Sequence, residues 1–244
     1  MIEQLRQRLQ TLQKTAGIED VASALPLGIA SIDAALGGGL ARGALHEIAA
    51  PSEAHLAAAT GFVLGLAARG QARVLWIAED MALSESGAPY GPGLDAFGLA
   101  PERLLTVAVA HRRDLLWAME EALRCRAIGV VIGEVRDSAV ITVALRRLSL
   151  AAAESGALAL LLRAAPPTDA STAATRWIVG ASPSFGNENA RFVAHLVRNR
   201  RGPLGSWILQ WSDSDERFLL TTPAQPVAAP ALDRPHRQIA RQVA

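Results

Sequence analysis

Four continuous apolar runs set the tightest limit on what this chain can fold into. They are RVLWIA (73–78), LLTVAVA (104–110), AIGVVIGEV (127–135) and ALALLLR (157–163). RVLWIA and AIGVVIGEV read as strands buried on both faces, and LLTVAVA and ALALLLR as further strands. Helical periodicity fills the gaps. Leu115, Met119, Ala122 and Leu123 share a face behind a cap at Asp114. Ile141, Leu145, Leu148 and Ala152 share another, opened by Asp137 or Ser138 and closed by Gly156. A strand at 45–49 and an alanine-rich helix at 52–68 begin the series. Strand–helix repeats of this length predict an α/β fold, a mostly parallel twisted sheet with helices on both faces.

The pattern changes after residue 163. TRWIVGA (175–181), FVAHLVRNRR (192–201), GSWILQW (205–211) and RFLLTT (217–222) follow without helices between them. They predict antiparallel strands extending one edge of the sheet. Trp207, Leu209 and Trp211 fall on one strand face, as a core stripe does. Residues 81–98, with Gly87, Pro89, Gly91, Pro92 and Gly93, read as a loop ending in a short helix.

The core therefore runs from 25 to 222, between two appendages. In residues 1–24, Ile2, Leu5, Leu9 and Leu12 line one helical face, for this domain or for a partner. In residues 223–244, Pro223, Pro226, Pro230 and Pro235 bar regular structure. The last residues, with Arg237, Ile239, Arg241 and Val243, form either a disordered terminus or a docking peptide that orders on binding.

Composition excludes several functions. The 244 residues carry a net charge of only +1, so no global field drives the chain onto nucleic acid or lipid. Lys14 is the only lysine. Cys125 is the only cysteine, so no internal disulfide forms, and it is expected to be buried in a helix. The five histidines have no metal-ligand spacing, and no metal is expected. The N-terminus lacks the apolar core of a signal peptide, and no run approaches a membrane span of about 20 residues. A cytoplasmic protein with no membrane association is expected.

The run GIASIDAALGGGLARGALHEI (28–48) resembles the entry to the core domain of RecA-type recombinases. Gly28, Ile32, Asp33, Leu36, Gly37, Gly39, Leu40, Gly43, Glu47 and Ile48 carry the match. Further segments resemble the ImuA family in the same order: PYGPGLDAFGL, LWAMEEALR, LRRLSLAAAESG, ATRWIV and RNRRGPLGSWILQWSDSDERF. The resemblance implies a RecA-like P-loop core and a role in DNA-damage-induced (SOS) translesion synthesis and mutagenesis. It implies as partners RecA, ImuB (a Y-family polymerase homologue lacking polymerase catalysis) and, indirectly, an error-prone replicative-type DNA polymerase. A cell-division inhibitor like SulA, with a related degenerate core, is the rival within this fold.

The nucleotide loop can be tested position by position. A working loop reads G-x-x-x-x-G-K-[ST], with glycines for close phosphate approach, lysine for charge and a hydroxyl for magnesium. Here Ala50 and His55 stand at the glycines, Leu56 at the lysine and Ala57 at the hydroxyl. Each lost charge-assisted bond costs roughly 1.5–3 kcal/mol. No bound nucleotide, no cofactor and no catalysis are expected. Asp80 or Glu79 stands near the water-activating acid of the resembled enzymes. Gly133 occupies the place of their magnesium-linked aspartate, with Glu134 one residue late. Strand faces alternate with period two, which counts against Glu134. Arg198 and Arg200 match lysines that reach a neighbouring subunit's nucleotide. With Arg146, Arg147 and Arg201 they are either partner or DNA contacts or solvated surface. Two short loops, EVRDSAVI and RAAPPTDASTAAT, leave little room for the DNA grips of a filament. An active ATPase with an aberrant loop, using Asp80 or Glu134, is the alternative.

Overall fold

The computed structural model describes residues 24–70, 72–136, 142–167, 170–183 and 189–221. The expected features at Leu5, Leu9, Leu12, Asp137, Ser138, Ile141, Arg237, Ile239 and Arg241 lie outside these residues. The elements in chain order are β1 (Ala24–Leu25), α1 (Ala30–Ala35), β2 (Leu40–Ala41), β3 (Ala44–Ala49), α2 (Leu56–Arg69), β4 (Arg73–Glu79), α3 (Asp80–Ser86), α4 (Gly91–Ala96) and β5 (Leu104–Val109). They continue with α5 (Arg112–Leu123), β6 (Ile128–Val135), α6 (Thr142–Ser155), β7 (Leu158–Arg163), β8 (Thr175–Ala181), β9 (Arg191–Asn199), β10 (Gly205–Ser212) and β11 (Arg217–Thr221).

The main sheet has the order β11-β10-β9-β8-β3-β7-β6-β4-β5. Strands β3 to β8 are parallel to their neighbours, and β9, β10 and β11 add antiparallel pairings. The predicted α/β architecture is therefore present, with one correction. TRWIVGA is not an antiparallel addition to the central sheet: it pairs parallel to β3, Ile48 opposite Trp177, and only its outer side is antiparallel to β9.

Alternate residues of the strands feed two cores. On one face, α2 packs Ala59, Phe62 and Leu66 against Ile48, Trp76, Ile132, Leu160 and Trp177. An aromatic cluster of Phe62, Phe192, Trp211 and Phe218 closes this side, and Leu209 and Trp211 are buried as the stripe predicts. Gly61 and Gly65 of α2 are required by this packing. A Cβ at either would enter the ring of Phe97 or Phe218. On the other face, α5 and α6 cover Leu45, Ile77, Val131, Val135 and Leu161.

Three local expectations are corrected. Residues 80–96 form two short helices, α3 and α4, rather than a loop with one. Helices of 7 and 6 residues carry too little periodicity to show through glycines and prolines. Asp114 does not cap α5. His111 precedes that helix, and Asp114 sits in its first turn, where its charge favours the helix dipole. Cys125 is exposed just beyond α5 rather than buried within it.

The motif residues at 28–43 and 199–205 prove to be architectural. The Asp33 carboxylate accepts hydrogen bonds from the N–H groups of Leu27 (2.7 Å) and Gly28 (2.9 Å). Gly39 has a φ of 131°, and a Cβ there would strike the Leu25 carbonyl. Asn199 Nδ2 donates to Ala35 O (2.8 Å) and Pro203 O (3.0 Å), clamping the 199–205 turn onto α1.

Candidate functional site

The segment after β3 keeps the strand–turn–helix course of a phosphate loop, but its donors point elsewhere. Residues 53–55 close a 3-10 turn that runs straight into α2. The His55 N–H donates to Ser52 O (3.0 Å), and the Leu56 N–H donates to Glu53 O. The Ala50 N–H donates to Arg163 O (2.9 Å), and Ala50 itself is buried. The loop is also fastened to β8. Ala181 N–H donates to His55 Nδ1 (3.1 Å), and Pro51 and the His55 ring lie over Gly180. Thus His55 faces β8, while Leu56 and Ala57 face the opposite way.

Leu56 and Ala57 line a cleft of about 550 Å³ between the start of α2 and the α3–α4 segment. Its floor is Trp76 and Glu134, and Tyr90, Leu94 and Phe97 form the facing wall. Glu134 accepts a hydrogen bond from Trp76 Nε1 (3.2 Å) on one oxygen and holds Arg136 Nε 3.2 Å from the other. Arg136 also donates to Ser86 Oγ and reaches Glu53 Oε1 at 3.4 Å. The one arginine of the cleft is thus spent on two carboxylates and a hydroxyl.

This overturns the face expected for Glu134. Val131 and Val135 pack under α5 and α6, whereas Val130 and Ile132 pack on the α2 side. Period two then sends Glu134 into the cleft. It is Gly133 that points away, and a Cβ there would meet Met119 and Leu115 of α5. The face was misjudged because the register was anchored on the wrong member of the Gly-Glu pair. Asp80, by contrast, is exposed at the start of α3 and does not line the cleft. Sequence reasoning also missed Trp76, Glu53 and Arg136. Trp76 and Arg136 were findable, since each stands on the cleft face of its strand line, Arg136 two residues beyond Glu134.

Behind the cleft, the sheet carries two buried polar groups of its own. Glu47 is wholly buried and paired with Arg163 Nη1 (2.9 Å) and Arg176 Nη2 (2.9 Å), which stand on the two strands flanking β3. His46, on the opposite face of β3, is also fully buried. Its Nε2 lies 2.9 Å from Ala41 O, which can only accept, so Nδ1 accepts from the Thr175 hydroxyl at 2.7 Å. Burial pushes the His46 pKa down to about 4. The Ala41 carbonyl opposes that shift, and the charge of Arg201 adds to it.

The arginines singled out in the sequence take separate roles. Arg147 pairs with Glu120 (2.5 Å), which also takes Arg124 (2.6 Å), so it ties α6 to α5. Arg198 Nε donates to Ala173 O (3.4 Å). Ser149 of α6 is hydrogen bonded to Thr172 (3.1 Å), so α6 and Arg198 both hold the 172–173 segment. Arg146, Arg200 and Arg201 are exposed. Among the described residues no group of acids, histidines or cysteine fits a metal ion, and no helix is long and apolar enough to cross a membrane.

No protein-family model and no curated protein matches the chain. Among solved structures it is similar to a crystal structure of the RadB recombinase, at 16% identity and a TM-score of 0.55. The match covers 78% of this chain and 96% of that one. At that identity the likeness speaks for architecture, and the mostly parallel nine-stranded sheet with its helices agrees with it: this chain has a RecA-like α/β fold.

Proposed function

We propose that the chain is a non-catalytic RecA-like accessory protein of a DNA-damage-induced translesion-synthesis complex, of the ImuA kind, that binds RecA, ImuB or both. The observation that carries this is the state of the phosphate loop. The N–H groups of His55 and Leu56 are bonded within their own turn, the lysine and hydroxyl positions are Leu56 and Ala57, and the nearby arginine is already neutralised. A triphosphate entering here would meet two carboxylates and no free cation, so the residues present do not fit a nucleotide with magnesium.

A protein without a nucleotide switch works through its surfaces. Among the described residues, the outermost strand β5 leaves one edge unpaired; it exposes Leu105 and Val107, and Trp117 of α5 is 61% exposed nearby in sequence. An open apolar strand edge favours addition of a partner segment. The exposed Arg146, Arg200 and Arg201 supply a polar surface for a second partner or for weak DNA contact. The error-prone polymerase would be reached through ImuB, in the cytoplasm.

ATP and single-stranded DNA titrations of the full chain, at low and physiological salt, test the reading. No ATP binding at millimolar concentration is expected, and micromolar affinity would sink it. Deleting residues 1–16 and 223–244 separately, followed by capture of RecA and ImuB, assigns the two ends. Unchanged capture of both partners would remove the ends from the interface. The placement of Glu134 in the cleft is the one observation favouring an active ATPase instead. That reading requires magnesium-dependent turnover abolished by Glu134→Gln.

A further inference from the structure

The cleft over β4 and β6 has the size of a small-molecule site, about 550 Å³. Its chemistry is the reverse of a phosphate pocket. Only three lining residues are charged, and two carboxylates (Glu53 and Glu134) against one guanidinium (Arg136) leave one negative charge in excess. The Glu134 carboxylate is nearly buried, whereas Glu53 stands at the mouth with its side chain 77% exposed. The rest of the lining is mainly apolar, with aromatic surface on the wall from Tyr90 and Phe97. Aromatic faces beside carboxylates attract positive charge and repel anions.

From this we infer that the cleft is a binding pocket for an organic cation with an apolar body. The apolar part would rest against Tyr90 and Phe97, and the charged group would meet Glu53 and Glu134. Two sources share this chemistry: a free aromatic amine and an arginine side chain offered by a protein. The inference rests on the reading that the cleft holds no nucleotide.

Calorimetric titration of the full chain with tryptamine, indole-3-acetate, a blocked arginine amide and ATP tests it. Tryptamine and indole-3-acetate carry the same ring with opposite charge. Tryptamine is expected to bind about tenfold tighter than the acetate or better. Changing Glu53 and Glu134 together to glutamine should erase that preference. Ala57→Trp, which fills the cleft from α2, should abolish binding while circular dichroism stays unchanged. Gly93→Trp, which fills it from α4, gives the same readout if the first variant does not fold. Tighter binding of the blocked arginine would assign the pocket to a protein side chain, and tighter binding of tryptamine to a free amine. Equal affinity for the two indoles, or retention of binding in the filled variants, overturns the inference. Heat from ATP would overturn the accessory role as well. Silence from all four ligands would remove the cation pocket and leave the accessory role standing.

Discussion

Glu47 and Glu134 stand on two central strands of one sheet and have opposite surroundings. Glu47 lies level with Gly133, because both pair with Leu161 of β7, and it shares their face, beneath α5 and α6. It is sealed from water and neutralised by Arg163 and Arg176. Glu134 lies one residue farther on, on the α2 face, within a cleft that a solute can enter. One carboxylate holds strands together, and the other lines an open cleft. Distance along the chain does not separate such roles; the face of the strand does.

The comparison can be broken first at Glu47. Glu47→Ala leaves two arginines facing a void in the sheet and should lower stability by about 3–5 kcal/mol in urea denaturation. A loss well below 1 kcal/mol would mean that the arginines find other partners. Gly133→Asp restores the acid that the resembled enzymes carry, but on the wrong face. Its carboxylate would lie among Leu115 and Met119, at a cost of about 3 kcal/mol. Magnesium should not recover that loss in thermal melts; recovery would show that residue 133 reaches the cleft.

Acid tests the residue beside Glu47. The folded-state pKa of His46, about 4, lies below the ordinary value of 6.5. Between those pH values the unfolded chain takes up a proton that the folded chain refuses. This contribution to stability is complete above pH 6.5 and falls away toward pH 4, by roughly 3 kcal/mol in all. His46→Gln should flatten that slope. The smallest effect belongs to the cleft. Glu134→Gln keeps an acceptor for Trp76 and leaves Arg136 with Ser86 and Glu53, so a loss of about 1–2 kcal/mol is expected by the same denaturation assay.

The sheet was legible because apolar runs such as 127–135 and 157–163 read as strands, and both are largely buried, whereas the equally apolar run 104–110 is the largely exposed strand β5 at the end of the sheet order. Helix α6 was legible from Leu145, Leu148 and Ala152 and from its stop at Gly156, which takes a φ of 75°. The site was legible only in outline. Ala50, His55, Leu56 and Ala57 told what the loop lacks, but not that its N–H groups turn inward or that His55 binds β8. Helices α3 and α4, which make the far wall of the cleft, were hidden by Gly87, Pro89, Gly91 and Pro92. The Glu47 pairing was invisible for another reason. Arg163 and Arg176 are more than 100 residues away in the chain, so the pairing follows only once the strand order is known.

The fastening of the loop to β8 has a bearing on redesign. Lysine at 56 and serine at 57 would return the named side chains of a phosphate site, yet the His55–Ala181 bond and the Pro51–Gly180 contact would still hold the backbone shut. Restoring side chains is therefore a different operation from restoring a backbone: the shape of this turn is set in part by a strand 126 residues further along the chain.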